Sequence, residues 1–78
     1  MEFKAYLEQK HMLKKGEIKL KGNSVNQYIN RLENMRRNGI YNEELQITPI
    51  LEQKIQECYK DWNTYVKTIE HYLSSKKY

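Results

Sequence analysis

The stretch SVNQYINRLENMRRNG, residues 24–39, spells one helix together with both of its ends, and it constrains the fold more than any other part of the chain. Ser24 with Gln27 three residues on reads as a capping box, in which the hydroxyl takes a free N–H at the helix start and the amide reaches back. Val25, Tyr28, Ile29, Leu32 and Met35 then recur at helical spacing. Asn38-Gly39 supplies the left-handed residue that ends the run. With only three glycines and one proline in 78 residues, the rest of the chain divides into similar segments.

In EFKAYLEQKHMLKK, Phe3, Tyr6, Leu7 and Leu13 share one face, Lys10 is the single charged intruder, and Gly16 follows as a stop. This predicts a first helix over roughly 2–15. Between Gly16 and Gly22, Ile18 and Leu20 alternate with Glu17, Lys19 and Lys21. A lone strand would lack a partner, so the segment reads as a basic loop before the helix at 24–38. In IYNEELQI, Asn42 can cap a short turn through Leu45. Thr48-Pro49 is a helix start, because Thr caps and Pro fits the first helical position, whose N–H has no helical partner. Apolar positions then run from Leu51 through Ile55, Cys58, Tyr59, Trp62, Tyr65, Val66, Ile69 and Tyr72 to Leu73 with no Gly or Pro between them. Asp61 and Asn63 offer caps for a break near Trp62, which buries more than one long rod would. The expectation is helices at 49–60 and 62–75 and a frayed polar end, SSKKY. The whole is a single all-α domain, a small bundle of about four helices.

At this length folding buries only about 60–65% of the surface an unfolded chain exposes. Seven Tyr, one Trp and one Phe are therefore expected to supply core area that the few aliphatic residues cannot. The one cysteine, Cys58, excludes an internal disulfide and a cysteine-pair zinc site. A reducing cytoplasm and a packing role for Cys58 follow as expectations. No apolar run approaches the roughly 20 residues that span a bilayer, and Met1 leads into charged sequence unlike a secretory signal. No membrane partner is expected.

The chemistry that would make an enzyme is missing from the sequence pattern. His11, His71 and Cys58 share no metal-ligand or nucleophile–base spacing, so the reading is non-catalytic, with no metal and no cofactor. KLKGNS lacks the spacing of a nucleotide-binding loop, although a Gly beside a helix start can hold one backbone phosphate of DNA. The charge is uneven. Residues 1–39 carry nine Lys or Arg against four Glu, whereas residues 40–78 carry five against six acids. An AT-rich coding bias produces basic chains of this composition without any partner. The alternative is a DNA surface made of Lys14, Lys15, Lys19, Lys21, Asn23, Ser24, Gln27, Arg31, Arg36 and Arg37, with Asn26 and Asn30 among them. Arg36 and Arg37 also sit where cations offset a helix dipole. The aromatic residues Tyr59, Trp62, Tyr65 and Tyr72 have three readings: core packing, which their helical spacing favours, stacking of single-stranded bases, or docking of a partner through Tyr59, Trp62 and Tyr65.

NSVNQYINRLENM, followed by YVKTIEHYL, resembles the SAM-like N-terminal, or core-binding, domain of phage integrases and other tyrosine recombinases. The matching positions are Ser24, Val25, Tyr28 and Leu32, then Ile69, Tyr72 and Leu73. The resemblance implies a four-helix bundle lying across duplex DNA, with Ser24, Lys21, Asn23 and Gln27 near it. The basic segment before the second helix departs from the family's short turn, and the recombinases' catalytic Arg, His and Tyr arrangement is not found in these residues. The implied function is a non-catalytic accessory protein of a mobile element or phage that binds duplex or single-stranded DNA and assists a larger recombination or replication enzyme. The alternative is a pure protein-interaction subunit, a polymerase or primase adaptor or an inhibitor of a host enzyme, with no DNA contact of its own.

Overall fold

Four helices form, and the residues that end them are mostly those the sequence marks. The computed structural model describes residues 1–78, with α1 at Phe3–Leu13, α2 at Gly22–Arg37, α3 at Pro49–Cys58 and α4 at Trp62–Ser75. There are no strands. Gly16 and Gly39 both take left-handed backbone, with φ of 86° and 70°. At Gly39 this closes α2 by a Schellman motif: the N–H of Ile40 reaches the Met35 carbonyl at 2.9 Å, and that of Gly39 reaches Arg36 at 3.1 Å. Thr48 caps α3 by accepting from the Leu51 N–H at 3.2 Å, with Pro49 in the first turn.

Three local expectations are corrected. The capping box does not form: the N-cap of α2 is Lys21, three residues before Ser24, with no side-chain cap, so Ser24 lies inside the first turn. Lys21 takes extended backbone at the N-cap, and Leu20 just before it packs partly buried against the core. Asn42 caps no turn. Its side chain donates to the Gly39 carbonyl at 3.2 Å, and Glu43 beside it takes φ 62°, so residues 40–47 cross irregularly to α3. Cys58 is exposed at the end of α3 rather than packed. The break before α4 falls at Tyr59 to Asp61, and Asp61 stands at the N-cap without a side-chain bond.

Helix α4 packs against each of the other three, α1 packs also on α2, and α3 touches α4 alone among the helices. The core takes Tyr6 and Leu7 from α1, Val25, Leu32 and Met35 from α2, Leu51 and Ile55 from α3 and Ile69 from α4. Ile40 and Tyr41 of the α2–α3 connection seal it. Rings supply much of the contact. Tyr72 meets Phe3 and Tyr41 edge to face, with centroids 5.5 and 6.0 Å apart, the arrangement that aromatic quadrupoles favour. The Tyr41 hydroxyl donates to the Glu44 carbonyl at 2.7 Å, and burial, reinforced by the Glu43 carboxylate, pushes its pKa up to about 12.

Lys10, the charged intruder on the face of α1, is buried with only 4% of its surface exposed. Its ammonium is 2.7 Å from the Glu17 carboxylate, at the base of the loop. This pair fastens the loop to α1 and holds the Glu17 carboxyl below the usual carboxylate range, Lys10 hydrogen bonding being the main cause.

Candidate nucleic-acid interface

Helix α2 buries one stripe and leaves the opposite stripe to solvent, and the exposed stripe is rich in amides. Asn23, Asn26, Gln27, Asn30, Glu33 and Arg37 are all exposed, at spacings of three and four residues that place them along one face. From Asn23 to Arg37 this face extends about 21 Å at the helical rise. The asparagines used inside the protein are others: Asn34 accepts from Asn38 at 2.9 Å and from the Tyr59 hydroxyl, and Asn42 bonds to Gly39.

The loop of residues 14–21 runs directly into this face. Lys15, Lys19 and Lys21 are exposed, and the protein's three ion pairs engage only Lys10 and Arg36 among its cations. Lys14 is half-buried, its ammonium 5.6 Å from the centre of the Tyr6 ring, and its pKa is raised, chiefly by polar contact with the Tyr6 hydroxyl. Ser24 is half-buried in the first turn, while Gln27 stands free. Lysines, amides and the open N–H groups of the α2 start thus lie on a continuous stretch of chain.

The arginines divide. Arg37 is exposed on the amide face. Arg36 turns the other way: its guanidinium lies 2.7 Å from Glu43 and 3.1 Å from Glu33, and 4.9 Å from the Tyr72 ring centre. These carboxylates raise its pKa against the opposing effect of its own burial. Arg36 is occupied in closing the α2–α3 connection. Arg31 is half-buried over Tyr28, 5.6 Å from the ring centre, on the flank of α2.

Tyr59, Trp62 and Tyr65, for which core packing and partner docking are both readings of the sequence, are all half-buried. Tyr59 and Tyr65 stack at 3.7 Å with planes 10° apart, and Trp62 packs half-buried against the core. Desolvation raises the Tyr65 pKa, with Asp61 and Tyr59 adding to it.

No group of three His, Cys, Asp or Glu side chains could hold a metal ion. One cavity, of about 500 Å³, opens between the start of α1, the middle of α2 and the end of α4, over Phe3, Ile29, Leu32 and Tyr72. Its one aliphatic hydroxyl, Ser75, donates to the Tyr72 carbonyl, and no histidine or cysteine lines it. His71 lies edge-on to Tyr28 at 5.0 Å, its pKa lowered mainly by burial and then by Lys10. No helix is long and apolar enough to cross a membrane.

Sequence reasoning missed two things that decide which cations are free. The carboxylates that occupy Arg36 are one: Glu33 stands three residues before it, a visible helical pairing, but Glu43 reaches it only through a left-handed residue that no local signal announces. The inward turn of Lys10 onto Glu17 is the other. Comparison with protein-family models, with curated proteins and with solved structures finds no match to this chain.

Proposed function

We propose that this chain is a non-catalytic DNA-binding module, that α2 is the element it lays in the major groove of a duplex, and that it acts beside a larger DNA-processing enzyme. The observation that carries the reading is the outer face of α2, where Asn23, Asn26, Gln27 and Asn30 stand exposed between the lysines of the loop and Arg37. Asn and Gln offer paired donor and acceptor atoms that match the N6 and N7 edge of adenine, and lysines anchor the phosphates beside it. An α-helix with side chains is about 10–12 Å across, which suits a major groove about 12 Å wide. A solvent face that served only solubility would be expected to carry mostly Lys and Glu, as mixed charges do that at less cost in helix propensity than three asparagines. The larger enzyme is part of the same proposal and comes from the likeness of NSVNQYINRLENM and YVKTIEHYL to the core-binding domains of recombinases.

Binding of labelled duplex across a salt series tests this. With about four phosphates neutralised, affinity should fall roughly a hundredfold between 50 and 200 mM salt. Lys19→Glu/Lys21→Glu should weaken binding and flatten that slope, whereas Asn26→Ala/Asn30→Ala should leave the slope and erase preference among duplex sequences. Absence of binding at low salt would overturn the reading.

A further inference from the structure

We propose that Ile18 is a wedge that enters the minor groove beside the α2 site and partly unstacks a base step; this rests on the DNA-binding reading. At 81% exposure Ile18 is the most exposed large apolar residue of the protein. It stands in the loop between Lys14, Lys15 and Lys19, Lys21, so the loop's one exposed apolar side chain has cations on both sides, while Glu17 directly before it is paired with Lys10 and Leu20 is half-buried. The residues around it are anchored. Gly16 turns the chain with its left-handed backbone, Glu17 is held down by buried Lys10 at 2.7 Å, and Leu20 packs against the core. Glu17 and Leu20 are thus tied to the bundle on either side of Ile18, and Ile18 itself stands exposed between them.

That combination matches a recurring way of deforming DNA, in which an apolar side chain is pushed between base pairs while flanking cations neutralise the phosphates. The reach is adequate. Three residues separate Ile18 from Gly22, and these four steps span at most about 14 Å, enough to cross one sugar–phosphate strand from the groove that holds α2 to the groove next to it. A membrane surface is the less favoured partner for the same loop, because a bilayer takes up an extended apolar face, and here one side chain projects among polar neighbours.

The test uses the full chain and duplexes carrying a fluorescent adenine analogue at a flexible TA or CA step, with donor and acceptor dyes at the duplex ends. Binding of the parent should raise the base fluorescence severalfold and shorten the end-to-end distance. Ile18→Ser, an exposed change that leaves folding intact, should retain duplex affinity within about tenfold while losing both signals, and Ile18→Leu should keep both. If the parent binds duplex without either signal, or Ile18→Ser keeps them, the wedge is wrong while the DNA reading survives. If the parent fails to bind any duplex at low salt, both fall. Binding to phosphatidylserine vesicles that Ile18→Ser abolishes, with no effect on DNA, would reassign the residue to a membrane surface.

Discussion

Two basic segments of this protein, the loop of residues 14–21 and the end of α2 at Arg36, look alike in sequence and are used in opposite ways. In the loop a single ion pair, Lys10 to Glu17, does the fastening from below and leaves Lys15, Lys19 and Lys21 to solvent. At the end of α2 the fastening is done by the cation itself, as Arg36 bridges Glu33, Glu43 and the Tyr72 ring to hold the irregular connection against the bundle. The difference lies in where the carboxylates are. A cation paired with a carboxylate, as Lys10 and Arg36 are, is a structural part, and an exposed one without such a pair is available to a polyanion.

The largest effect should come from breaking the Arg36 side at its buried ring. Tyr41→Ala removes the phenol that seals the core there and should cost about 3–5 kcal/mol in chemical unfolding, a large share of the stability of so small a domain. Tyr41→Phe should cost about 1 kcal/mol for the lost bond to the Glu44 carbonyl. The same phenol sets an alkaline limit. Its folded pKa of about 12 lies above the ordinary 10.0, so its contribution is complete below pH 10 and is lost as pH rises from there toward 12. Absorbance of ionised tyrosine followed against unfolding would show Tyr41 titrating late, with Tyr65 also displaced upward.

Next in size is the loop's fastening. Glu17→Gln leaves Lys10 buried without its counterion and should cost about 2 kcal/mol, reduced from the fully buried case because 34% of the Glu17 side chain is exposed. Lys10→Met should lie within about 1 kcal/mol of the parent, since it replaces a buried charge by apolar volume and lets Glu17 face water. Equal losses in the two variants would show that the pair acts only through its mutual attraction. Acid should act on the same region. The depressed pKa values of Glu17 and His71 mean that stability is present above their unfolded values, 4.5 and 6.5, and is lost as pH falls through the lower folded ones. A pH series of melting curves, with His71 followed by NMR, checks both.

Smaller again is Arg36→Met, which should cost about 1 kcal/mol because the guanidinium and both carboxylates are partly hydrated. Its effect on DNA affinity should be slight. Lys19→Ala/Lys21→Ala should reverse that pattern, with stability within about 0.5 kcal/mol of the parent and clearly weaker duplex binding.

The fold was legible because helix ends are local chemistry. Gly39, Thr48 and Pro49 act where their residue types demand, and the stripes Val25 to Met35 and Leu51 to Ile69 are read directly from spacing. Ser24 shows the limit of the same reasoning: the N-cap lies three residues earlier, at Lys21, beside a Leu20 that packs against the core, and no local signal marks that position. The candidate surface was legible in part. Exposed lysines and amides follow from the apolar stripe they avoid, but the occupation of Arg36 depends on Glu43 in a left-handed conformation, and the stacking of Tyr59 on Tyr65 depends on how the chain turns between α3 and α4. Both are contacts across turns whose shape is set by what they pack on.

The central claim is that the loop and the amide face of α2 meet DNA while the Arg36 corner holds the fold. The most direct measurement is a titration of the isotope-labelled chain with a short duplex, followed residue by residue through its backbone amide resonances. The account predicts shifts concentrated in residues 15–30 and at Arg37, with residues 40–47 and the Tyr59–Tyr65 stack unmoved. Shifts centred on residues 40–47 or on that stack, or no shift at low salt, would contradict it.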